Sequence, residues 1–446
     1  MTEQKVEGPV QTYSIGKMRF GQAVANSTKK SILFALLMLS FTFLAFSAKA
    51  GDWQGSVVDK DGVPHMMNPS QPIETPVSLK LEELWRVSGD ESEDFLFGVL
   101  IQIASDDQGN IYVLDSQLHQ VMVFTSKGEY IRSIGRQGEG PGEFNRPSDL
   151  FLTPDDHVAV MQGMPGKIVL LTTEGEPAGN HPVPETEDGG MQMFSAGQLA
   201  GDQLVLSAER FSRREDGMTI SSALIGIDKT GKQVATYFEQ EDKRDFANLT
   251  FEEKKMRNNA VTWSAGSDGH VYASDNFDAY HIKVFKPDGT LERVIEREYE
   301  SRVRSAEEIE ENTPRVMIRR GNQSQSPEVK ASDTDRDVQR IYPREDGTLW
   351  VLSSHGAFDA PEGAIATFDV FNAEGKFIRQ VTLEGEGSYR GDGFHFVKDR
   401  FYVVTGLRSA RRAMFGAGEE DTDESEEDEP MGIICYDMSQ IVQSMK

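Results

Sequence analysis

Residues 104–113 read Ala104-Ser105-Asp106-Asp107-Gln108-Gly109-Asn110-Ile111-Tyr112-Val113. An apolar end, a polar turn closed by glycine and a β-rich run spell strand, turn, strand. The phrase returns five times. Thr153-Pro154-Asp155-Asp156-His157 leads into Val158-Ala159-Val160, and Ala200-Gly201-Asp202-Gln203 into Leu204-Val205-Leu206. Gly266-Ser267-Asp268-Gly269-His270 leads into Val271-Tyr272-Ala273, and Arg344-Glu345-Asp346-Gly347-Thr348 into Leu349-Trp350-Val351. Lys398-Asp399-Arg400 leads into Phe401-Tyr402-Val403. Tyr112, Ala159, Val205, Tyr272, Trp350 and Tyr402 hold equivalent places, at spacings of 47, 46, 67, 78 and 52 residues. Self-similarity at such a period is the signature of a repeat architecture.

A second signal follows each of the first five copies. An apolar residue stands four before a turn glycine: Phe124/Gly128, Leu171/Gly175, Ile227/Gly231, Phe285/Gly289 and Phe371/Gly375. Another short apolar strand comes next, so each repeat holds about four antiparallel strands, the size of one propeller blade. The expected fold is all-β, a six-bladed β-propeller. The sixth copy lacks its fourth strand, whereas residues 79–87 (Leu-Lys-Leu-Glu-Glu-Leu-Trp-Arg-Val) form an orphan strand ahead of the first blade. Ring closure, with this N-terminal strand completing the last blade and removing its open edge, resolves both anomalies. A seven-bladed ring would need a seventh copy, and none is found.

Residues 97–144 resemble the NHL-repeat and six-bladed propeller proteins, above all an exported bacterial group without an assigned activity. Carrying the resemblance are the strand Gly109-Asn110-Ile111-Tyr112-Val113, Asp115, Val121-Met122-Val123-Phe124, Gly128 and the run from Gly135 to Phe144. It extends over about 360 residues, strongly in the first blade. Asp115 recurs as Asp275, but Gln162, Ala208, Ser353 and Thr405 fill the place elsewhere. The resemblance implies the fold; propellers host unrelated functions.

Composition narrows those functions. The chain carries 46 Lys+Arg against 73 Asp+Glu, a formal net charge of −27. Such a surface repels phosphate backbones, which excludes nucleic acid as a partner. The lone Cys435, inside an apolar run, excludes a disulfide framework and is expected to be a buried, inert thiol. Lys29-Lys30, an apolar run over residues 32–46 and Ala48-Lys49-Ala50 read as a signal peptide over residues 1–50, cleaved after Ala50. Its removal takes six basic and two acidic residues and moves the net charge from −27 to −31. The alternative is an uncleaved membrane anchor, for which the run is short of the ~20 residues a spanning helix needs. No cysteine follows the run, so a lipoprotein is not expected. The expected layout is a linker over 51–78, the propeller over 79–437 and a tail over 438–446, in a periplasmic or secreted monomer.

The two long spacings mark insertions. Thr250-Phe251-Glu252-Glu253 and Ser305-Ala306-Glu307-Glu308 both spell capping boxes opening short helices, the second limited by Pro314. Residues 321–337 read as a polar, flexible loop, and residues 419–429 hold nine acidic residues in eleven, expected to be a solvated loop.

No Gly-x-Ser-x-Gly elbow, His-Glu-x-x-His, Walker-A loop or dinucleotide fingerprint occurs. A propeller offers instead one face where inner strands and loops converge on the channel. The connection 136–149 is the leading ligand candidate there: its glycines admit close backbone approach, and Arg136, Arg146 and Asp149 offer charge-assisted hydrogen bonds. Trp263, Arg340 and His395 are further channel candidates, against structural readings in which Arg146 pairs with Asp149, Trp263 fills a seam and His395 is a satisfied structural group. The expected function is a non-catalytic exported binding module for a glycan, peptide or protein partner, with no cofactor. The alternative is a metal-dependent lyase or lactonase using a channel-bound Ca or Zn; its catalytic residues are not readable from the sequence.

Overall fold

The computed structural model describes residues 51–439, except 91, 186–190, 246–249, 315, 317, 321–322 and 415–429. The signal-peptide segment, the tail beyond residue 439 and the acidic run 419–429 therefore lie outside the described residues. Six antiparallel sheets follow one another along the chain, at residues 100–134, 147–181, 191–245, 262–297, 338–384 and 393–437. They are numbered here as blades 1 to 6. In the first five, chain order along the blade's own four strands equals order from channel to rim, as in an up-and-down propeller blade; the sixth takes its outer strand from the N-terminal segment.

The turns repeat because one backbone solution repeats. At 106–110, 125–129, 153–157, 172–176, 228–232, 266–270, 286–290, 344–348 and 372–376 the first residue donates its N–H to the carbonyl of the fifth. The fourth donates back to the first, and it always has positive φ. Glycine fills that fourth place in eight turns, since a side chain there costs about 1–2 kcal/mol; Asp156 bears the conformation in the ninth. Side chains of adjacent blades meet in six apolar clusters, one per seam. Tyr112, Ala159, Val205, Tyr272, Trp350 and Tyr402 each enter the cluster shared with the following blade.

The ring closes between the chain's two ends. Strand Glu82–Ser88 pairs antiparallel with Gly432–Asp437 and supplies the outer strand of blade 6. Packing shows that it takes the role of an ordinary outer strand. The turn glycines of blades 2 and 5 lie against the preceding outer strands, Gly175 on Ile134 and Gly375 on Ile295, and Gly128 of blade 1 lies in the same way on Trp85. Trp85 Nε1 also donates to the Ser126 carbonyl, so one side chain of the closing strand grips the first blade.

The expected linker over 51–78 is instead a belt along blades 4 and 5. Hairpin strands Ser56–Lys60 and Val63–Asn68 extend blade 4, the second lying parallel to its outer strand. Strand Val77–Lys80 lies parallel to the outer strand of blade 5. The orphan strand expected over 79–87 is thus shared between two blades, dividing at Leu81. Buried Asn68 fastens the belt: Nδ2 donates to the Glu296 and Gly375 carbonyls, while Oδ1 accepts from Trp53 Nε1 and Phe377 N. Unpaired, those buried groups would each cost about 1–3 kcal/mol, so this stretch cannot behave as a loose tether.

The insertions differ from their sequence reading at one point. Ser305 and Glu308 form the expected capping box on helix Ala306–Asn312. The box expected at 250–253 does not form: only a 3-10 turn, Glu253–Lys255, and a one-turn helix, Arg257–Ala260, follow it. Glu253 is drawn inward instead, accepting from the buried Arg304 guanidinium at 2.9 Å and from Ser332 N. A buried guanidinium left without a carboxylate is costlier than a lost cap. Within the expected flexible loop over 321–337, of which 321–322 lie outside the described residues, Val329–Lys330 pairs with Phe251–Glu252, and Ser332, Arg336 and Asp337 are buried. Cys435 is fully buried, which pushes its thiol up to about 12.

Candidate functional site

Inner strands begin on one face of the ring, and the second strand of each blade ends there. Every long connection opens onto this upper face, including helices Ser354–Phe358 and Leu407–Met414 and the insertions after blades 3 and 4. Among the described residues the lower ends of the blades carry the repeated five-residue turns, two tighter ones at 201–202 and 398–399, and the N-terminal hairpin turn at 61–62.

Four inner strands carry a bulge near their upper ends, before Gln102, Asp149, Ala196 and Arg340. These four, with Thr262 and Gly393 at matching register in blades 4 and 6, form a ring of equivalent positions around the channel. Two residues below comes a second ring, which includes Phe151, Gln198, Ser264, Tyr342 and His395.

On one side the rings are self-satisfied. Asp149, 4% exposed, accepts from Gln102 Nε2 at 2.7 Å, Gly197 N at 2.8 Å and Leu150 N at 2.8 Å. Burial pushes its carboxyl up to about 6, and those three donors oppose the shift. Gln198 accepts from Ser264 Oγ and Ala265 N. These amides and carboxylate stitch blades 1 to 4 together and leave little hydrogen-bonding capacity for a ligand.

The side built from blades 5 and 6 is different. Arg340 keeps over a third of its surface open although protein surrounds it, the environment of a side chain lining a channel. Its guanidinium lies 5.9 Å from the centre of the Tyr389 ring. Tyr389 belongs to the connection entering blade 6, and its hydroxyl donates to Gln339 Oε1. Arg411, on helix Leu407–Met414, stands near enough for the two positive charges to act on each other. Among the described residues neither arginine meets a carboxylate. Below them His395 is half-buried, and its Nε2 lies 3.5 Å from where a side chain on Gly393 would begin. The glycine leaves the imidazole room to rise toward the mouth. Burial, then Arg411 and Arg340, lower its pKa to about 4, so the ring is neutral at pH 7. In chemical terms the arrangement can receive an anion: it offers two guanidinium groups, a phenol and a neutral imidazole whose basicity a nearby negative charge would raise.

Arg340 and His395, chosen from the sequence, thus stand together. Asp149 shares their ring but is engaged by its three donors and does not pair with Arg146. Arg146 is exposed, its backbone at φ 45°. Arg136 is an exposed surface residue paired with Glu143 at 2.7 Å, while Glu143 also accepts from Gly140 N, so the glycine-rich run 135–144 is braced as a turn. Trp263 faces away from the ring and packs into the seam between blades 3 and 4. Sequence reasoning missed Arg411 and Tyr389. A signal for the first exists: Leu-Arg-Ser-Ala-Arg-Arg-Ala-Met at 407–414 puts three arginines into eight residues of an acidic chain. Among the described residues no three His, Cys, Asp or Glu side chains gather as metal ligands. The described residues around the channel thus bring no such set of ligands together for a Ca or Zn.

A family model described as a 6-bladed beta-propeller matches residues 90–318. No curated protein matches. Among solved structures, a protein of Bacteroides fragilis described as exported is similar at 15% identity, covering 81% of this chain and 99% of its own, with a TM-score of 0.43. A DUF4221-family member from Bacteroides vulgatus is similar at 10% identity (80% and 97% covered, TM-score 0.45). A gluconolactonase from Xanthomonas campestris is similar at 10% (76% and 86% covered, TM-score 0.37). At such identity and superposition these likenesses carry no inference about activity. Among the described residues no helix is long and apolar enough to cross a membrane.

Proposed function

This chain belongs to the 6-bladed beta-propeller family matched over residues 90–318, and on that premise we propose that it is an exported, non-catalytic binding module. Its ligand carries a carboxylate or a similar oxyanion and is held at the upper mouth of the channel. Two unneutralised guanidinium groups at that mouth, in a chain of net charge −27, support this reading above all. Among the described residues Arg132, Arg336 and Arg344 also lack a carboxylate but donate to carbonyls of neighbouring segments. Arg340 and Arg411 instead act on each other at the channel mouth, where an oxyanion from outside would relieve their repulsion. Arg340 and Arg411 anchor the oxyanion, each charge-assisted hydrogen bond contributing about 1.5–3 kcal/mol. Tyr389 flanks them, and a bound negative charge would oppose the Arg411 and Arg340 charges that lower the pKa of His395. The lyase or lactonase alternative asks for a metal cluster that the described residues do not assemble.

The test is a thermal-shift and titration series with citrate, D-glucuronate and octa-aspartate. At least one binds, more weakly as salt rises, and loses tenfold or more in affinity in the Arg340→Ala/Arg411→Ala double variant. A panel that binds no better to the parent than to this variant overturns the reading.

A further inference from the structure

Blade 3 is built on another scale. Its strands run 10, 11, 11 and 13 residues, against 4 to 8 in the other blades. All the excess lies at the upper end, since the lower turns at 201–202 and 228–232 stay in line with those of other blades. About five extra residue pairs at ~3.3 Å each raise a wall roughly 17 Å above the upper face.

Register decides what the wall presents. Met191 lies opposite Phe211, and Phe211 opposite Ile220, so three apolar side chains share one row and one face. It is the face that packs lower down against blade 4, where Gln198 meets Ser264. Met191 is 53% exposed, and Phe211 and Ile220 are partly exposed. The opposite face carries Gln192, Arg210 and Ser221. Other exposed apolar side chains open onto the same end of the ring: Leu118, Met164 and Met414 in the loops of blades 1, 2 and 6. Exposed large apolar side chains also occur elsewhere, singly at Ile131 and Val234 just beyond lower turns and at Val57, Val58 and Leu84 on the N-terminal strands. Apolar patches framed by polar surface mark protein contacts, and a sugar acid has little use for them.

We infer that the ligand is a polypeptide segment combining an acidic residue, received by Arg340 and Arg411, with apolar side chains that seat on the Met191–Phe211–Ile220 stripe. This deepens, and rests on, the oxyanion reading of the channel mouth. The cations select the charge of the partner, and the stripe distinguishes a peptide from a glycan of equal charge.

Three labelled probes separate the cases by fluorescence anisotropy on the full chain: an octapeptide alternating Asp with Leu and Phe, octa-aspartate, and oligogalacturonate of matched charge. The alternating peptide binds at least tenfold tighter than the other two. Phe211→Ser/Ile220→Ser removes that advantage and leaves octa-aspartate binding unchanged, whereas Arg340→Ala/Arg411→Ala weakens all three. Met191→Ser, at the most exposed point of the stripe, gives the same comparison if the double serine variant melts early. Oligogalacturonate binding as tightly as the peptide, or stripe variants without effect, overturns the inference and leaves the oxyanion site standing. Binding of all three probes indifferent to the arginine variant overturns the oxyanion site itself.

Discussion

The two faces of the ring obey different rules. Below, nine turns reuse one hydrogen-bond pattern with a left-handed residue at the same place. Above, connections range from three residues to insertions with helices, a raised blade and buried ion pairs. Uniformity below reflects a single constraint, reversing a twisted strand within five residues. Above, the chain is freed from that constraint, and the charge left unpaired at the channel mouth is what the proposed oxyanion reading rests on.

The contrast breaks most severely if the ring opens. Deleting residues 51–88 removes the belt and leaves strand Gly432–Asp437 as an unpaired edge. The expected result is aggregated protein by size-exclusion chromatography; a monomer with parental melting would show that closure is dispensable. A smaller break is confined to the upper face. Arg304→Met strands Glu253 in a buried site, at a cost of about 3–5 kcal/mol. Amide exchange should accelerate in the insertions around 251–260 and 306–312, while the lower turns keep their protection.

Two glycine substitutions sharpen the comparison from below. Gly109→Ala meets only backbone strain, with its nearest neighbour 3.5 Å from the added methyl, and should cost about 1–2 kcal/mol in urea melts. Gly128→Ala adds overlap with Trp85, 2.7 Å from the methyl position, and should cost about 1–3 kcal/mol more. Equal costs would mean that the closing strand does not press on blade 1.

The mildest effects are pH slopes from two ring residues of opposite sign. His395 has its pKa lowered from 6.5 to about 4, so between those values the unfolded chain binds more protons and acidification destabilises the fold. Asp149 has its pKa raised from 3.8 to about 6, so its contribution is fully present below 3.8 and is lost as pH rises through 6. Melting temperatures followed from pH 6.5 to 4.5 should therefore fall less steeply in His395→Asn than in the parent, and more steeply in Asp149→Asn. Parallel curves would remove both groups from the channel interior.

What was legible in the sequence follows the same division. The six blades could be read because left-handed turn positions demand glycine, which leaves a periodic trace. Ring closure could be read from a missing strand at one end and a spare one at the other. The belt could not: Gly62, Pro64, Pro69, Pro72 and Pro76 punctuate residues 51–78 like a linker, and its strands are short pieces held by partners more than 200 residues away. The failed capping box at 250–253 depended on Arg304, fifty residues on. Arg340 and His395 stood out in the sequence because they are polar residues on inner strands, where alternation sets one face of the strand apart from the other. Arg411 arrives on a helix inserted within blade 6, and nothing local reveals which way that helix lies.

The central claim is that the mouth of the channel holds an oxyanion between Arg340 and Arg411. Soaking crystals in selenate and mapping the anomalous signal of selenium tests it without knowledge of the natural ligand. The account predicts a strong peak bridging the two guanidinium groups, absent from the double alanine variant. Peaks only elsewhere on the surface, with that mouth empty, would contradict it.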